Sequence, residues 1–419
     1  MLTRRSLLAF SAALALAPRR ARAADLPERK FLFVFARGGW DPTWVFAPGL
    51  DPAGIDIDPD TTTATAMGLP YGDAPLRPNV RNFFQKYADR TCIINGMEVR
   101  SLTHERCRRI LFCGQGEGDA DDWAATIAAD DPRWRLPHLV LTGPSFTAAH
   151  ADVVVRLGQN NQLAELLSGK FAQRADVPLD MPGRSATDAA EAFARSRAAE
   201  WAAAQPSGQP AKLGGALSSA YDRLDLVRSQ ASMFDLGTDL GTDPLIPVPD
   251  RVTAALQCFE AGYSRCAMIE HLGLFDLTWD SHSANTNQGL HFDLLFADLA
   301  TILDDLESRP GEGGGSLLDE TTVVVISEMG RAPRLNAAGG KDHWTFTSAM
   351  LIGAGVRGST VLGAYDDGLH GHPISLDTGV VDDAGTALTP EHLGATLFAL
   401  AGLDGAKLVN ADPIMAAIE

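Results

Sequence analysis

The chain has 419 residues with 35 basic and 53 acidic side chains, a formal net charge of −18. A surface this acidic repels nucleic acid and anionic membranes, so neither is expected as a partner. It also repels anionic small molecules. A phosphate or sulfate ester would therefore need a metal or a group of arginines to offset the charge.

The first 23 residues have the features of an export signal. Arg4 and Arg5 form a twin-arginine pair, Leu7–Ala17 is an apolar run, and Ala21-Arg22-Ala23 fits a cleavage site between small residues. The run is too short to span a bilayer, so we expect cleavage, no membrane span afterwards, and a periplasmic or secreted protein. Without the five arginines of this segment, 30 basic residues remain against 53 acidic ones, a net charge of −23.

The mature chain, residues 24–419, alternates strands with helices, which predicts one α/β domain built on a large sheet. Strands are predicted at Lys30–Ala36, Thr91–Ile94, Leu136–Leu141, Cys266–Glu270 and Ser348–Ile352, with a further buried strand beginning at Thr321. Helices are predicted at Val80–Tyr87, Trp123–Ala129, Arg251–Tyr263, Gln288–Glu307 and Pro390–Leu400. Residues 45–78 are predicted to be a long surface loop, because Pro, Gly, Asp and Thr dominate them.

Residues from about 152 to 250 differ in composition from the rest. They are rich in Ala, Arg, Glu and Asp at helical spacing, as in Asp188–Ala204 and Leu213–Met233, and they contain no cluster of catalytic residue types. We interpret this segment as a helical insertion that covers the sheet or the site.

Acidic residues and histidines follow several of the predicted strands. These residues are Asp41, Asp280, His282, Glu328, Asp342 and His343. Ligands of open α/β sheets bind beyond the carboxyl ends of the strands, so we expect these side chains to meet at one edge. Carboxylates and imidazoles are ligands of divalent ions, and the set predicts a site for zinc, manganese or calcium.

The segment that follows the second predicted strand contains Ser101, Thr103 and His104, and a helix continues to about Cys113. Taken alone, Ser101 and Thr103 are ordinary helix-capping residues. The Gly-rich turn at 114–118 lacks the Lys-Ser/Thr ending of a phosphate loop and is interpreted as a plain loop.

Four short motifs carry a resemblance to a known family: Arg37–Asp41 (RGGWD), Trp279–His282 (WDSH), Ser327–Arg331 (SEMGR) and Asp342–Trp344 (DHW). Behind a twin-arginine signal, they resemble the bacterial exported family catalogued as domain of unknown function 1501. That family is similar in fold to alkaline phosphatases and sulfatases. The resemblance implies a three-layer α/β/α sandwich of the alkaline phosphatase type.

The resemblance also implies roles for individual residues. Asp41 would be the metal ligand after the first strand, Asp280 and His282 the Asp–His pair of one metal position, Glu328 the carboxylate of a second, and His343 the late histidine. The nucleophile would be Ser101 or Thr103, near His104. The family usually has Arg-Ser-His at this point, whereas here two residues separate Ser101 from His104.

Two functions remain open from the sequence. One is an exported, metal-dependent hydrolase that acts on a small phosphate or sulfate ester, with Arg37, Arg100 or Arg331 holding the ester oxygens. The other is a non-catalytic exported protein on the same fold that binds a metal or a partner. The retained carboxylates and histidines favour the enzyme, and the altered nucleophile segment favours the binding protein.

Overall fold

The computed structural model describes residues 28–158, 183–204, 207–234 and 247–419. Its strands are β1 (Lys30–Ala36), β2 (Thr62–Ala66), β3 (Leu69–Asp73), β4 (Thr91–Glu98), β5 (His138–Val140), β6 (Val154–Arg156), β7 (Cys266–His271), β8 (Thr321–Ile326), β9 (Gly330–Leu335), β10 (Lys341–Trp344), β11 (Phe346–Gly353) and β12 (Thr360–Leu362). Its α-helices are α1 (Pro78–Tyr87), α2 (His104–Cys113), α3 (Trp123–Ala128), α4 (Arg184–Ala203), α5 (Gly208–Ser229), α6 (Val248–Glu260), α7 (Asn287–Ser308) and α8 (Pro390–Leu400).

Eight of these strands form one central sheet in the order β12-β4-β11-β8-β1-β7-β5-β6. β1 lies in the middle and pairs in parallel with β7 on one side and β8 on the other. β11 is antiparallel to both of its neighbours, so the sheet is mixed. The carboxyl ends of β1, β7 and β8 therefore lie side by side at one edge.

The side chains of β1 show how the layers form. Leu32 and Val34 point into one core, and Phe31, Phe33 and Phe35 point into the other, as expected for a strand that is buried on both faces. Helices α1, α6 and α7 pack on the first face, and α2, α3 and α8 pack on the second. The predicted α/β/α sandwich is confirmed.

The prediction of a long surface loop at residues 45–78 was wrong. β2 and β3 pair there as an antiparallel hairpin, and Val45, Phe46 and Ile55 are fully buried. The outer strand of this hairpin, TTATA, is mostly exposed and has little apolar character. Its pairing with β3 creates the strand, which explains why composition alone did not reveal it.

Other predictions fall partly or wholly outside the described residues. The proposed signal at 1–23 lies outside them, as do parts of the proposed insertion at about 152–250. Within that insertion, α4 and α5 are helical and pack against each other. Among the described residues, no helix has both the length and the apolarity that are needed to cross a bilayer. All five cysteines are buried with free thiols.

Candidate metal centre

The site begins at the turn that follows β1. Gly38 has a φ of +126°, and a Cβ at this position would lie 2.5 Å from the backbone nitrogen of Asp280. Its own amide donates to both carboxylate oxygens of Glu328, at 3.0 Å each. Only glycine allows the turn to approach these two loops so closely. The turn after β1 thus contacts both the loop after β7, at Asp280, and the residue Glu328 after β8.

Four side chains converge above this turn. Oδ1 of Asp280 lies 3.3 Å from Nε2 of both His282 and His343, and those two nitrogens are 2.9 Å apart. Nε2 of His104, the first residue of α2, lies 3.3 Å from Oδ2 of Asp280. Donor atoms of His104, Asp280 and His343 all lie within 4.8 Å of one another. We refer to His104, Asp280, His282 and His343 as the metal cluster, because donor atoms this close together could hold an ion.

The other ring nitrogen of each histidine faces an oxygen. Nδ1 of His343 is 2.6 Å from the carbonyl oxygen of Leu102, which can only accept, so His343 donates from Nδ1. Nδ1 of His104 and of His282 likewise face carboxylate oxygens, those of Glu328 at 2.9 Å and Asp342 at 3.2 Å. A proton on Nδ1 leaves a lone pair on Nε2 in the neutral imidazole, which is the usual arrangement of metal-bound histidines.

This geometry fits a cation. Two neutral Nε2 atoms 2.9 Å apart would both present lone pairs, and either a proton or a cation between them relieves the repulsion. In a tetrahedral zinc site with bonds of about 2.0–2.1 Å, neighbouring ligand atoms lie roughly 3.3 Å apart. The 3.3 Å separations of Asp280 from His282 and His343 match that spacing, and the two histidine nitrogens, at 2.9 Å, are closer together. Nε2 of His104 is buried and has no hydrogen-bond partner in the described part of the chain, since its approach to Asp280 has ion-pair distance without hydrogen-bond alignment.

The close approach of these groups shifts their pKa values. Asp280 and Glu328 stabilise the protonated form of His104 and raise its pKa to about 9. Burial works to raise the pKa of Asp280, but His104 and Arg331 outweigh it and hold that pKa well below its usual value. Burial lowers the pKa of His343. Without a metal at neutral pH, Asp280 is therefore an anion beside a protonated His104. A metal bound at this place would displace the proton from Nε2 of His104.

The six predicted metal ligands separate into three groups. Asp280, His282 and His343 belong to the metal cluster. Glu328 and Asp342 instead accept hydrogen bonds from its histidines, so they lie behind the cluster and outside it. Asp41 lies apart and is fully buried.

The oxygens of Asp41 are already engaged. Oδ1 accepts hydrogen bonds from the amide and hydroxyl groups of Thr43, and Oδ2 accepts from Asn285 and forms a 2.8 Å ion pair with Lys341. Lys341 is also fully buried. Because a lysine occupies the place where a cation would bind, we leave Asp41 out of the ligand set.

The four residues predicted to be catalytic also separate. His104 joins the metal cluster. Arg331 is fully buried, and it donates to the backbone carbonyls of Gly38 and Gly39 and to Oδ1 of Asp280 at 2.7 Å. It therefore orients Asp280, and its burial keeps it from an ester in the cavity.

The two predicted nucleophiles lie just before α2. Thr103 is exposed and Ser101 is partly exposed, and their hydroxyl oxygens are 3.5 Å apart. Neither residue lines the cavity beside the metal cluster. Because two residues separate Ser101 from His104, the imidazole of His104 lines this cavity and neither hydroxyl group does.

That cavity has a volume of about 150 Å³, and its walls include Arg37, Arg108, His104, Asp280 and Glu328. Arg37 was predicted to contact an ester, and Arg108 was not. The missed signal is the i, i+4 spacing of His104 and Arg108, which places both on one face of α2. Arg100, the third predicted arginine, is turned away and pairs with Glu391 at 2.6 Å.

One comparison with known proteins identifies the family. Residues 73–412 match the family model described as Protein of unknown function (DUF1501). The chain belongs to this family. No curated protein matches the DUF1501 chain.

Solved structures with a similar fold include an alkaline phosphatase superfamily protein from Vibrio parahaemolyticus, with 11% identity and a TM-score of 0.38, covering 94% of this chain and 69% of that one. A second is the phosphonate monoester hydrolase SpPMH from Silicibacter pomeroyi, with 10% identity and a TM-score of 0.36, covering 94% of this chain and 78% of that one. A third is the PsFucS1 sulfatase from Pseudoalteromonas sp., with 10% identity and a TM-score of 0.35, covering 94% of this chain and 74% of that one. Similarity this low supports no conclusion about activity, so we argue function from the side chains of the site.

Proposed function

We propose that this DUF1501 protein is a metal-dependent hydrolase of small phosphate or sulfate esters. The observation that carries the proposal is the convergence of three imidazole Nε2 atoms on Asp280, with each Nδ1 facing an oxygen. The metal cluster would hold one divalent ion. Three histidines and one carboxylate favour zinc or manganese over calcium, which prefers sites made only of oxygen ligands.

The bound ion would supply Lewis-acid chemistry and a water nucleophile at neutral pH. The chain's own residues prepare the site for it. Glu328 and Asp342 hold the rings of His104 and His282 in the required orientation. The guanidinium of Arg331, with His104, keeps Asp280 ionised and fixes the direction of its carboxylate.

The cavity beside the metal cluster suits a small anionic group. Its volume of about 150 Å³ is several times the roughly 30 Å³ of one water but below the roughly 300–1,000 Å³ of drug-sized pockets. Only the reacting part of an ester would enter. Arg37 and Arg108 line it and would contact the ester oxygens, which offsets the acidic surface elsewhere.

One observation favours a second candidate, a metal-binding protein without hydrolytic activity. Neither Ser101 nor Thr103 lines the cavity, so the chain offers no hydroxyl nucleophile at the expected position. Hydrolysis would then depend on water alone. The two candidates agree on the metal and differ on turnover.

Metal analysis and substrate assays separate these candidates. The purified protein would be analysed for bound metal and assayed with p-nitrophenyl phosphate and p-nitrophenyl sulfate, beside His343→Ala and a matched control, His370→Ala. His370 is half-exposed and pairs with Asp366, and neither residue is a member of the metal cluster. We expect stoichiometric metal and turnover in the wild type and the control, and loss of both in His343→Ala.

Stoichiometric metal without turnover on either ester would favour the binding protein. Absence of bound metal after loading with zinc and manganese would refute both candidates. Equal metal content in wild type and His343→Ala would refute the ligand set proposed here.

Export by the twin-arginine route is part of the same proposal and is supported by Arg4-Arg5 and the apolar run that follows. Fractionation of cells that express the full chain tests it. We expect the protein in the periplasm or medium, and in the cytoplasm when both arginines are replaced by lysine. An unchanged distribution would refute this route.

A further inference from the structure

A strained loop connects β7 to the metal cluster. Within it, Phe275 and Thr278 have positive φ angles of 54° and 63°. A β-branched side chain in the left-handed region is a true outlier, because its Cβ substituents crowd the backbone. Such strain persists only where the surroundings enforce it, and it is common at functional sites.

The contacts that enforce this conformation are made by the backbone. The amide of Thr278 donates to the carbonyl of Leu272 at 2.7 Å, and the amide of Trp279 donates to the carbonyl of Arg37 at 2.9 Å. The buried Trp279 ring is fixed by a further bond to the carbonyl of His271 at 3.0 Å. A glycine at 278 would keep these backbone bonds without strain. The fold therefore gives no reason for a threonine.

The side chain of Thr278 has a different environment. It lines the cavity beside the metal cluster, together with Arg37, Arg108 and Glu328. Within the described part of the chain, its hydroxyl oxygen has one hydrogen-bond contact, a long one of 3.5 Å from the amide of Asp280. The hydroxyl proton is thus available to a molecule in the cavity.

We propose that Thr278 is a substrate-contacting residue whose hydroxyl donates a hydrogen bond to a non-bridging oxygen of the phosphate or sulfate group in the cavity. This inference rests on the proposed function. It explains why a strained residue with a hydroxyl group occupies a position that suits glycine. Arg37 and Arg108 would neutralise the group, and Thr278 would fix its orientation.

Two substitutions separate the hydroxyl group from the backbone. Thr278→Gly removes both the hydroxyl and the strain, and Thr278→Ser keeps the hydroxyl. Ser359→Gly is the matched control, because Ser359 also has a hydroxyl group and a positive φ of 54° but lies beside β12, bonded to the carbonyl of Ala88. Each zinc-loaded variant would be compared with wild type by thermal unfolding, by calorimetric titration with inorganic phosphate and with inorganic sulfate, and by kcat/KM on the two p-nitrophenyl esters.

Both glycine variants should raise Tm by about 1 °C, since relief of the left-handed strain slightly outweighs the conformational entropy that glycine adds to the unfolded chain. Thr278→Gly should also weaken binding of the preferred oxyanion about 10-fold or more, as expected for a lost hydrogen bond to a charged group. Thr278→Ser and Ser359→Gly should bind as the wild type does. Oxyanion affinity unchanged in Thr278→Gly would overturn the inference, as would a lower Tm, which would show that the threonine stabilises the fold.

The two proposals fail in different ways. Oxyanion binding that depends on Thr278, without turnover of either ester, would refute hydrolysis and support the contact. Turnover that is unaffected in Thr278→Gly would support hydrolysis and refute the contact. A wild type that neither binds an oxyanion nor turns over an ester would refute both.

Discussion

The buried pair of Asp41 and Lys341 offers the sharpest test of how the site is assigned. Both side chains are fully buried, and Nζ of Lys341 lies 2.8 Å from Oδ2 of Asp41. At an effective dielectric constant of about 20, charges at that distance attract by roughly 6 kcal/mol, most of which offsets the cost of removing them from water. Asp41→Asn would leave the lysine charge buried without its counter-ion.

We expect Asp41→Asn to lower the free energy of unfolding by roughly 3–5 kcal/mol. That is a large fraction of the roughly 5–15 kcal/mol by which most domains are stable. Asn would still accept the two hydrogen bonds from Thr43, but its amide nitrogen could not accept the one from Asn285. The loss in this single variant therefore combines the ion pair with that hydrogen bond, and the double variant isolates the ion pair. Lys341→Met alone should cost a similar amount, because it leaves the carboxylate buried.

The double variant Asp41→Asn with Lys341→Met carries neither charge and should recover at least about 2 kcal/mol relative to the sum of the single losses. Urea unfolding followed by far-UV circular dichroism measures all four proteins. Metal content of the double variant completes the test and should equal that of wild type. Recovery of less than 0.5 kcal/mol, or a double variant that is stable but has lost its metal, would refute the structural role and restore Asp41 as a ligand.

Three further predictions follow from the geometry. In chelator-treated protein, His104 has a pKa of about 9 against an ordinary 6.5, so its protonation should stabilise the fold fully below pH 6.5. That contribution should be lost as the pH rises through about 9. The free energy of unfolding at about pH 6, 7.5 and 9 should show this decline in wild type and not in His104→Gln. Glu328→Gln should weaken metal affinity roughly 10–100-fold, because the charge that orients His104 is lost, and competition with a chelator would show an unchanged affinity if this reasoning is wrong. Gly38→Ala should cost roughly 2–4 kcal/mol, since its Cβ would overlap the Asp280 backbone. Gly68→Ala is the control, with a φ of +89° and open surroundings, and equal Tm losses in the two variants would argue against the overlap.

The elements of the sheet were accessible from sequence because their signal is local. The buried run Lys30–Ala36 and the helix Pro390–Leu400 have the bounds predicted from apolar pattern and capping. The hairpin β2–β3 was not predicted, because β2 is held by its pairing with β3, whose Leu69 and Tyr71 pack against distant segments in the core. A polar strand such as TTATA has no periodic apolar face to detect.

The candidate site was accessible in part for a similar reason. Parallel strands present their carboxyl ends at one edge, so the positions of Asp280, His282 and His343 after two strand regions predicted that they would lie close together. The same reasoning could not distinguish the residues of the metal cluster from Glu328 and Asp342, which orient its histidines. It also grouped Asp41 with them, although this carboxylate lies below the turn, against Lys341.

By itself the sequence determined the α/β alternation, the residue types available to a metal, and the edge of the sheet at which they gather. Only the tertiary structure decided which of these residues meet. The ring tautomers, the burial of Arg331 and the pairing of Asp41 with Lys341, 300 positions later, depend on how closely segments far apart in the sequence approach one another. Local propensity determines which element a side chain lies on, and the packing of the whole domain determines which residues it contacts.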